Sequence, residues 1–305
     1  MKQVVSVSLG ASSRDHQVET EIMGKKIMIK RIGTDGDFAR AIELVRSLDG
    51  QVDAFGMGGI DLYIVAGGRR YVLKDALKLK RAARKTPMVD GSGLKDTLER
   101  HTIHYLMEKK LLDFKGKNVL LVCGVDRFGM AETLVEVGAQ VTFGDLIFGL
   151  RIPWPLKSLR ALVLAGRTLG PIVSKLPFQY LYPVGKEQQV IIQRYNKYYE
   201  LNDVIAGDFH FIKKYLPENI SGKIILTNTV TTTDLELLAK RGARSLITST
   251  PELGGRSFGT NVLEAALVAI LGKTVEEITL TDYLHILKQA DFKPRIVDFA
   301  SEKIG

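Results

Sequence analysis

The feature that most constrains the fold is one short apolar run near the middle of the chain. Residues 118–123 read NVLLVC and lie between Gly116 and Gly124. An unbroken apolar run of this length, bounded by glycines, is typical of a strand buried on both faces of a parallel sheet. Parallel strands need crossover connections, so helices should alternate with the strands around it. We therefore predict an α/β chain in which this run opens a Rossmann-like, doubly wound parallel sheet.

The pattern on either side of this run predicts two domains. The first, residues 1–95, is an N-terminal α/β domain of the substrate-binding type, and the second, residues 96–281, is the Rossmann-like domain. A C-terminal helix, residues 282–305, is expected to pack back on the first domain. The other predicted strands cover residues 4–8, 27–32, 52–55, 62–65, 71–73, 140–143, 203–206, 223–226 and 245–248. The other predicted helices cover residues 38–48, 75–85, 94–112, 130–137, 232–241 and 261–271.

The alternation of predicted strands and helices breaks off between about residues 146 and 199. This stretch mixes prolines, aromatic residues and bases without a clear period, so we interpret it as an insertion in the second domain. A packed cover over the second domain is the simplest interpretation. An amphipathic lid, an oligomer contact and a membrane-surface patch are the alternatives, and the sequence leaves the oligomeric state open.

Composition excludes several classes of protein. The chain has 305 residues, 45% of them hydrophobic, and a single cysteine, Cys123. One cysteine cannot form an intramolecular disulfide or a cysteine-cluster metal site, and we expect a cytoplasmic protein without a metal. No uninterrupted apolar run is long enough for a transmembrane helix, and no nucleic-acid-binding motif is visible. The formal net charge of +9 favours anionic partners without distinguishing nucleic acid, lipid and a small carboxylate or phosphate. The partner that we expect is a small anionic or hydroxylated substrate.

A glycine-containing loop follows the buried strand directly. Gly124 to Gly129 read GVDRFG and lead into a predicted helix, an arrangement that brings a helix N-terminus to a pyrophosphate. Asp145 follows the next strand, 21 residues after Gly124, close to the spacing of an acid that binds a ribose diol. We therefore predict NAD as cofactor, bound by this loop, including Asp126 and Arg127, and by Asp145. Asp126 replaces the middle glycine of the usual pattern, and a carboxylate near a pyrophosphate is unfavourable unless it points away or ligates something. Another nucleotide, a shifted pose and a purely structural strand–turn–helix are therefore the alternatives.

Four longer motifs then follow one another along the chain. They are VDGSGLKDTLER at 89–100, DVIA at 203–206, TNTVTTTDLELLAKRGA at 227–243 and GTNVLEAALVAI at 259–270. In this order they resemble the shikimate/quinate dehydrogenase family over roughly residues 87–272, outside the insertion. The N-terminal resemblance is thinner and consists of Ser6 and Ser8.

The resemblance implies a role for particular residues. Asp90 would be the family's substrate-binding and catalytic aspartate, and Lys74 is the nearest candidate for its catalytic lysine, although a solvated surface lysine is the plainer interpretation. Ser6 and Ser8 would bind the substrate carboxylate. Glu264 stands where the family has a substrate-binding glutamine. Thr227 and Asn228 would contact the cofactor.

Together these observations predict an NAD-dependent oxidoreductase of the quinate/shikimate dehydrogenase type. It would transfer a hydride between a nicotinamide and a secondary alcohol of a hydroxylated carboxylate. The alternative is a non-catalytic nucleotide- or metabolite-binding protein, such as a sensor, on the same scaffold.

Overall fold

Two β-sheets, both dominated by parallel pairings, organise the chain. They are seen in a computed structural model that describes residues 1–66, 69–177, 190–253, 256–257 and 259–299. The predicted α/β class is confirmed.

The first sheet is built from the N-terminal residues in the order β2-β3-β1-β4-β7. Strand β1 lies in its centre and pairs in parallel with β3 and β4, whereas β2 and β3 form an antiparallel hairpin at one edge. A separate two-stranded hairpin, β5–β6, stands beside this sheet. The strands are β1 (Lys2–Ser8), β2 (His16–Ile22), β3 (Lys25–Gly33), β4 (Ala54–Gly58), β5 (Tyr63–Ala66), β6 (Arg69–Val72) and β7 (Met88–Val89).

Both faces of the first sheet are covered because successive side chains of β1 point to opposite sides. Val5 and Val7 pack with helices α1 and α2 on one face. Val4 packs on the other face with helices from later in the chain, α3, α9 and α10. These helices are α1 (Phe38–Leu48), α2 (Lys74–Lys80), α3 (Ser92–Glu108), α9 (Thr260–Leu271) and α10 (Leu280–Gln289).

The second sheet has the order β15-β12-β11-β10-β8-β9, and only the pairing of β15 with β12 is antiparallel. The chain runs outward from β8 to β9 and then returns to the other side of β8 with β10. A crevice therefore opens between the carboxyl ends of β8 and β10, the place where open α/β sheets bind ligands. The strands are β8 (Asn118–Leu121), β9 (Gln140–Phe143), β10 (Val204–Ala206), β11 (Ile224–Thr227), β12 (Ser245–Thr248) and β15 (Arg295–Asp298).

Alternating side chains of β8 also divide the second core in two. Val119 and Leu121 pack with α3, α4 and α5 on one face. Leu120 packs on the opposite face with α6, α7 and α8. These helices are α4 (Phe128–Glu136), α5 (Leu159–Val173), α6 (Asn196–Glu200), α7 (Phe209–Lys214) and α8 (Thr232–Lys240). The short strands β13 (Glu252–Leu253) and β14 (Arg256–Ser257) pair with each other.

The C-terminal part differs from the helix predicted for residues 282–305. Helix α10 ends at Gln289, and residues 295–298 form a strand of the second sheet, while residues 300–305 lie outside the described part. Asp291 has a positive φ of 48° and Pro294 follows it, so the helix cannot continue through this segment. The chain thus passes from α10, which packs on the first sheet, to β15, which is an edge strand of the second sheet.

The predicted insertion contains helix α5, a π-helical turn at residues 145–149 and helix α6. Residues 178–189 of the insertion lie outside the described residues. Gly170 of α5 packs closely on the ring of Tyr71, so α5 contacts the β5–β6 hairpin of the first domain. In the described part of the chain, no helix has both the length and the apolar character that crossing a membrane requires.

Candidate functional site

A cavity of about 170 Å³ lies between the carboxyl ends of strands from the two sheets. Because parallel strands end at the same edge of a sheet, their following loops converge here. We call the surface formed by β1, the start of β2, β3 and the loops after β1 and β4 the first wall, and the surface formed by the loops after β8, β10 and β11 the second wall. The first wall contributes Ser6, Ser8, Arg14, His16, Arg31 and Asp61, and the second contributes Asp126, Arg127, Asp208, His210 and Asn228; Asp90, Lys95 and Asn261 lie between them.

The first wall is cationic. Arg31 donates from Nη2 to Ser8 Oγ (3.0 Å) and from Nη1 to Asp15 Oδ1 (2.6 Å). Burial and then the repulsion of Arg14 lower the pKa of Arg31 to about 10, although Asp15 opposes this shift. The positive charge of Arg14 is thus close enough to Arg31 to affect its pKa. Such a pair of guanidinium groups favours an anionic ligand.

One hydrogen bond joins the two walls at the cationic end. Arg14 Nη1 lies 2.9 Å from His210 Nε2. Because a guanidinium only donates, this ring nitrogen must be the acceptor, which requires a neutral imidazole. Burial and then Arg14 lower the pKa of His210 to about 4. His210 is therefore neutral at pH 7 and adds no charge to this end of the cleft.

Lys95, on α3, stands between two carboxylates. Its Nζ is 2.9 Å from Asp126 Oδ2 and 3.7 Å from Asp61 Oδ2, and its side chain is 11% exposed. Burial lowers the pKa of Lys95, but Asp126 and Asp61 outweigh burial and raise it well above its ordinary value. The lysine is therefore a permanent cation.

The two carboxylates beside Lys95 differ in protonation. Burial, together with the negative charges of Asp126 and Asp90, raises the pKa of Asp61 well above its ordinary value. Burial acts in the same direction on Asp126, but Lys95 and Arg127 lower its pKa overall. A proton in this pair is consequently held by Asp61 rather than by Asp126, and the side-chain hydrogen bond between the two carboxyl groups uses it.

Arg127 is buried at the crevice between β8 and β10. It donates from Nη1 to Glu99 on α3 and from Nη2 to Asp208 Oδ2 (3.1 Å) after β10. Arg127 and Glu99 are each only 1% exposed. Burial raises the pKa of Glu99 to about 7 despite Arg127. This ion pair fixes two loops of the second wall to the helix that links the sheets.

Both carboxylate oxygens of Asp208 accept hydrogen bonds from neighbouring residues. It accepts hydrogen bonds from the backbone N–H of His210 (2.8 Å) and from Asn228 Nδ2 (3.1 Å), in addition to Arg127. Burial raises the pKa of Asp208, but His210 and Arg127 lower it to about 2 overall. Asp208 therefore organises the second wall as a carboxylate.

The predicted cofactor loop is brought to the cleft only in part. Asp126 and Arg127 line the cavity, whereas Gly124, Gly129 and Asp145 do not. A Cβ on Gly124 would meet Phe143 and Leu162, and one on Gly129 would meet Asp96, so both glycines allow close packing.

Asp145 binds the backbone of the loop that begins at Gly124. Its carboxylate accepts the backbone N–H groups of Gly124 (3.0 Å) and Val125 (2.8 Å). Burial raises the pKa of Asp145 to about 6, although these bonds oppose the shift. The amides that were expected to face a pyrophosphate are thus used within the protein. The prediction of NAD itself stays a prediction.

Asp90 lines the cavity, but both of its carboxylate oxygens accept hydrogen bonds from backbone N–H groups. One accepts from Leu62 N–H (2.6 Å), and the other accepts from Ser92 N–H (3.0 Å) and Ser92 Oγ (2.6 Å). Asp90 thereby starts α3 and holds the loop before β5. Lys74 is the exposed first residue of α2 and is not among the cavity-lining residues. The lysine that the structure brings to the cleft is Lys95.

The remaining predicted residues divide between the cavity and the layer behind it. Ser6 accepts a hydrogen bond from Asn261 Nδ2 (2.9 Å), and Ser8 receives Arg31, so both serines lie in the first wall. Asn228 lines the cavity, while Thr227 is buried behind it and donates to Gly207 O (2.7 Å).

Glu264 lies one turn beyond Asn261 on α9 and does not line the cavity. Its Oε1 accepts a hydrogen bond from Tyr283 OH (2.5 Å), and its Oε2 is buried without a partner. Burial, followed by the charge of Asp90, raises the pKa of Glu264 to about 7.

Sequence reasoning missed most of the charged residues of the cleft. Asp208 and His210 directly follow the predicted strand at 203–206, so the convergence of parallel strand ends was a usable signal for them. Lys95 lies inside the quoted motif at 89–100. Arg14 and Arg31 gave no comparable signal, because the β2–β3 hairpin brings them together. In the described residues, no group of three or more His, Cys, Asp or Glu side chains is placed to hold a metal ion.

Comparisons with known proteins identify families without a known activity. Residues 93–299 match the family described as "Domain of unknown function (DUF8754)", and residues 3–90 match "Domain of unknown function (DUF8753)". No curated protein matches the chain.

Solved structures show only a distant likeness. An ABC transporter solute-binding protein from Burkholderia multivorans is 12% identical, with 97% of this chain and 99% of that chain covered and a TM-score of 0.39. The 5-methylthioribose solute-binding protein from Thermotoga lettingae is 11% identical over 98% and 86% of the two chains, with a TM-score of 0.40. L-tryptophan dehydrogenase from Nostoc punctiforme is 12% identical over 88% and 68%, with a TM-score of 0.37. Likenesses at this level support no inference about the ligand of this chain.

These findings correct the resemblance to the shikimate/quinate dehydrogenase family. The matching families have no known function, and the similar structures are mostly sugar-transport solute-binding proteins rather than shikimate dehydrogenases. That family prediction is therefore wrong, as is the NAD-dependent oxidoreductase of that type derived from it. The four motifs coincide with strands, helices and the turns between them in this fold, and a fold does not imply an activity.

The geometry of this chain's own residues must therefore carry any functional proposal. Because the match over residues 93–299 spans more than half of the 305 residues, the chain belongs to the family described as Domain of unknown function (DUF8754).

Proposed function

We propose that the chain is a binding protein for a small anionic or hydroxylated metabolite, which it holds in the cleft between the two sheets. One observation carries the proposal: Arg14 and Arg31 lie in the first wall close enough for Arg14 to lower the pKa of Arg31. A carboxylate or phosphate placed between them would relieve this repulsion and would accept charge-assisted hydrogen bonds. The serine hydroxyls of Ser6 and Ser8 lie in the same wall.

The rest of the cleft lining is polar as well. Lys95 adds a permanent cation, and Asn228 adds an amide, although both already donate to carboxylates of the protein. Hydroxyl groups both donate and accept hydrogen bonds, so they can share such a lining. The arginines and this polar lining together favour a molecule with one anionic group and several hydroxyls.

The size of the cavity favours a small ligand. Its volume of about 170 Å³ is below the roughly 300–1,000 Å³ typical of sites for drug-sized molecules. The proposal therefore adopts the metabolite-binding alternative. A Rossmann-like use of the second sheet for NAD would need a wider cleft and loop amides released from Asp145.

A ligand panel tests the proposal. Inorganic phosphate, citrate, ribose 5-phosphate, ribose and NAD are compared by thermal shift and then by isothermal titration calorimetry. Ribose 5-phosphate should bind more tightly than ribose, and Arg31→Gln should weaken its binding by about tenfold or more, which corresponds to the loss of a charge-assisted bond. Arg40→Gln, an exposed change on α1, is the matched control and should bind as the wild type does.

Two results would overturn the proposal. One is equal affinity for ribose and ribose 5-phosphate, which would show that the arginines do not select the ligand. The other is anion binding that Arg31→Gln and Arg40→Gln weaken equally, which would show that the cleft is not the site.

A further inference from the structure

The segment from residue 150 to residue 176 exposes large apolar side chains. Trp154 is 69% exposed, Leu164 is 64% exposed and Ile172 is 62% exposed. Leu150, Ile152 and Leu176 are exposed as well, so six of the sixteen exposed large apolar side chains of the described residues lie in this segment. Concentrated exposed apolar surface marks an interaction site.

The charges of this segment have one sign. No aspartate or glutamate occurs between Asp145 and Glu187, whereas the segment contains the bases Arg151, Lys157, Arg160, Arg167 and Lys175. An acid-free stretch of this length is a strong bias in a chain that has 34 acidic residues in total. The bias favours a partner with a negative surface.

Helix α5 arranges these residues on two faces. Leu162, Gly166 and Gly170 recur every four residues and are buried, and they form the inner face toward the protein. Arg160, Leu164, Arg167, Thr168 and Pro171 are exposed and recur at spacings of three to four, so they share the outer face. The outer face therefore mixes bases with apolar side chains, and Trp154 is exposed in the loop before the helix.

We propose that the outer face of α5 and the loop at residues 150–155 dock on an anionic lipid membrane. Helices that lie in the plane of a membrane use the same residue types, Lys and Arg with Trp and Leu, although on separate faces. Here one face of α5 packs on the protein, so the exposed bases and apolar side chains share the other face. The apolar side chains would enter the boundary of the acyl region, and the bases would meet lipid phosphates and carboxylates. Helix α5 has 15 residues, so it lies on the membrane and does not cross it, since a span needs about 20.

The same charges disfavour a second copy of the chain as the occupant. A two-fold symmetric contact would place this face against itself, so that its bases would face identical bases with no acid in the segment to neutralise them. The proposal does not depend on the ligand of the cleft.

Trp154 is the only tryptophan of the chain, so its fluorescence reports on this loop alone. The full chain is mixed with phosphatidylcholine vesicles that either contain or lack phosphatidylserine. We expect a blue shift of Trp154 emission and co-sedimentation only with phosphatidylserine, and both should be lost at high salt because salt screens surface charges.

Substitutions on the outer face should weaken binding to the phosphatidylserine vesicles. Leu164→Ser and Arg160→Glu should each reduce vesicle partitioning by about tenfold. Leu111→Ser and Arg40→Glu are the matched controls, because both positions are exposed outside this segment. Circular dichroism melting shows whether each variant is folded.

Three outcomes would overturn the docking proposal. They are an unchanged Trp154 emission with phosphatidylserine vesicles at low salt, equal losses in the control variants, and a concentration-dependent Trp154 shift without vesicles, which would indicate self-association.

Discussion

The two walls of the cleft use charged residues in opposite ways. In the second wall, the charges are buried and neutralised: Arg127 pairs with Glu99 and Asp208, and Asp126 pairs with Lys95, which lies between the walls. In the first wall, Arg31 has Asp15 as a partner but also feels the repulsion of Arg14. The second wall therefore fixes the shape of the cleft, whereas the proposed function assigns selection of the ligand to the first wall. Mutations in the two walls should therefore affect different quantities.

The largest effect is expected at Arg127. Arg127→Met leaves Glu99 buried without its partner, and breaking a buried ion pair by removing one member costs about 3–5 kcal/mol. The free energy of unfolding, measured by urea denaturation, should fall by that amount. The double variant Arg127→Met/Glu99→Leu should recover part of the loss. No loss in the single variant would show that the second wall does not stabilise the fold.

Glu264 lies in the layer behind the first wall, and its raised pKa predicts that the stability of the fold depends on pH. Its folded pKa of about 7 lies above its ordinary value of 4.5, so the folded state binds more protons between these values and its stability falls as pH rises through them. Glu264→Gln removes this dependence, and Tyr283 can still donate to the amide oxygen.

At pH 8 the Glu264→Gln variant should be more stable than the wild type by as much as about 3 kcal/mol, the equivalent of the pKa shift. The difference should shrink toward pH 5. Thermal melts of both proteins across this range measure it. Parallel curves for the two proteins would contradict the raised pKa.

Lys95 tests the middle of the cleft. Lys95→Met leaves Asp126 and Asp61 together without their cation and should cost about 2 kcal/mol of stability at pH 7. The cost should decrease as pH falls, because protonation then removes the repulsion. Lys95→Met/Asp126→Asn should restore most of the stability. A pH-independent loss would mean that Lys95 contributes packing rather than charge.

The smallest stability effect is expected at Arg31. Arg31 loses its bonds to Asp15, Ser8 and the Ala11 carbonyl, but Asp15 keeps its hydrogen bond from Gly33 N–H (2.7 Å) and the buried charge is removed, so Arg31→Gln should lower the free energy of unfolding by only about 1 kcal/mol. Urea denaturation at the same pH as the Arg127 variant gives a direct comparison. A loss as large as that of Arg127→Met would erase the distinction between the walls.

Much of the fold could be predicted because its elements are strongly patterned. Helix 38–48 and the strands at 140–143 and 245–248 were predicted with the observed bounds. Strand β2 was missed although HQVETEI alternates its burial at the sheet edge, and such alternation is a signal for a half-buried strand that the search for apolar runs overlooked. The predicted C-terminal helix was too long because propensity does not reveal that residues 295–298 pair with β12.

The site was less predictable than the fold because it depends on pairings between distant residues. Ser6, Ser8, Asp90, Asp126, Arg127 and Asn228 were singled out and do line the cavity. Their contacts were not readable: Asp126 meets Lys95, and Asp90 binds backbone groups. The hydrogen bond between Arg14 and His210 spans 196 positions of sequence, and only the docking of the two sheets creates it.

The measurement that tests the central account most directly is a calorimetric titration of ribose 5-phosphate into three proteins at one pH and one salt concentration. These are the wild type, Arg31→Gln and Arg40→Gln, each with its stability measured in parallel. We predict that Arg31→Gln binds about tenfold more weakly while losing much less stability than Arg127→Met, and that Arg40→Gln equals the wild type. Unchanged affinity in a folded Arg31→Gln protein would contradict the assignment of ligand selection to the first wall.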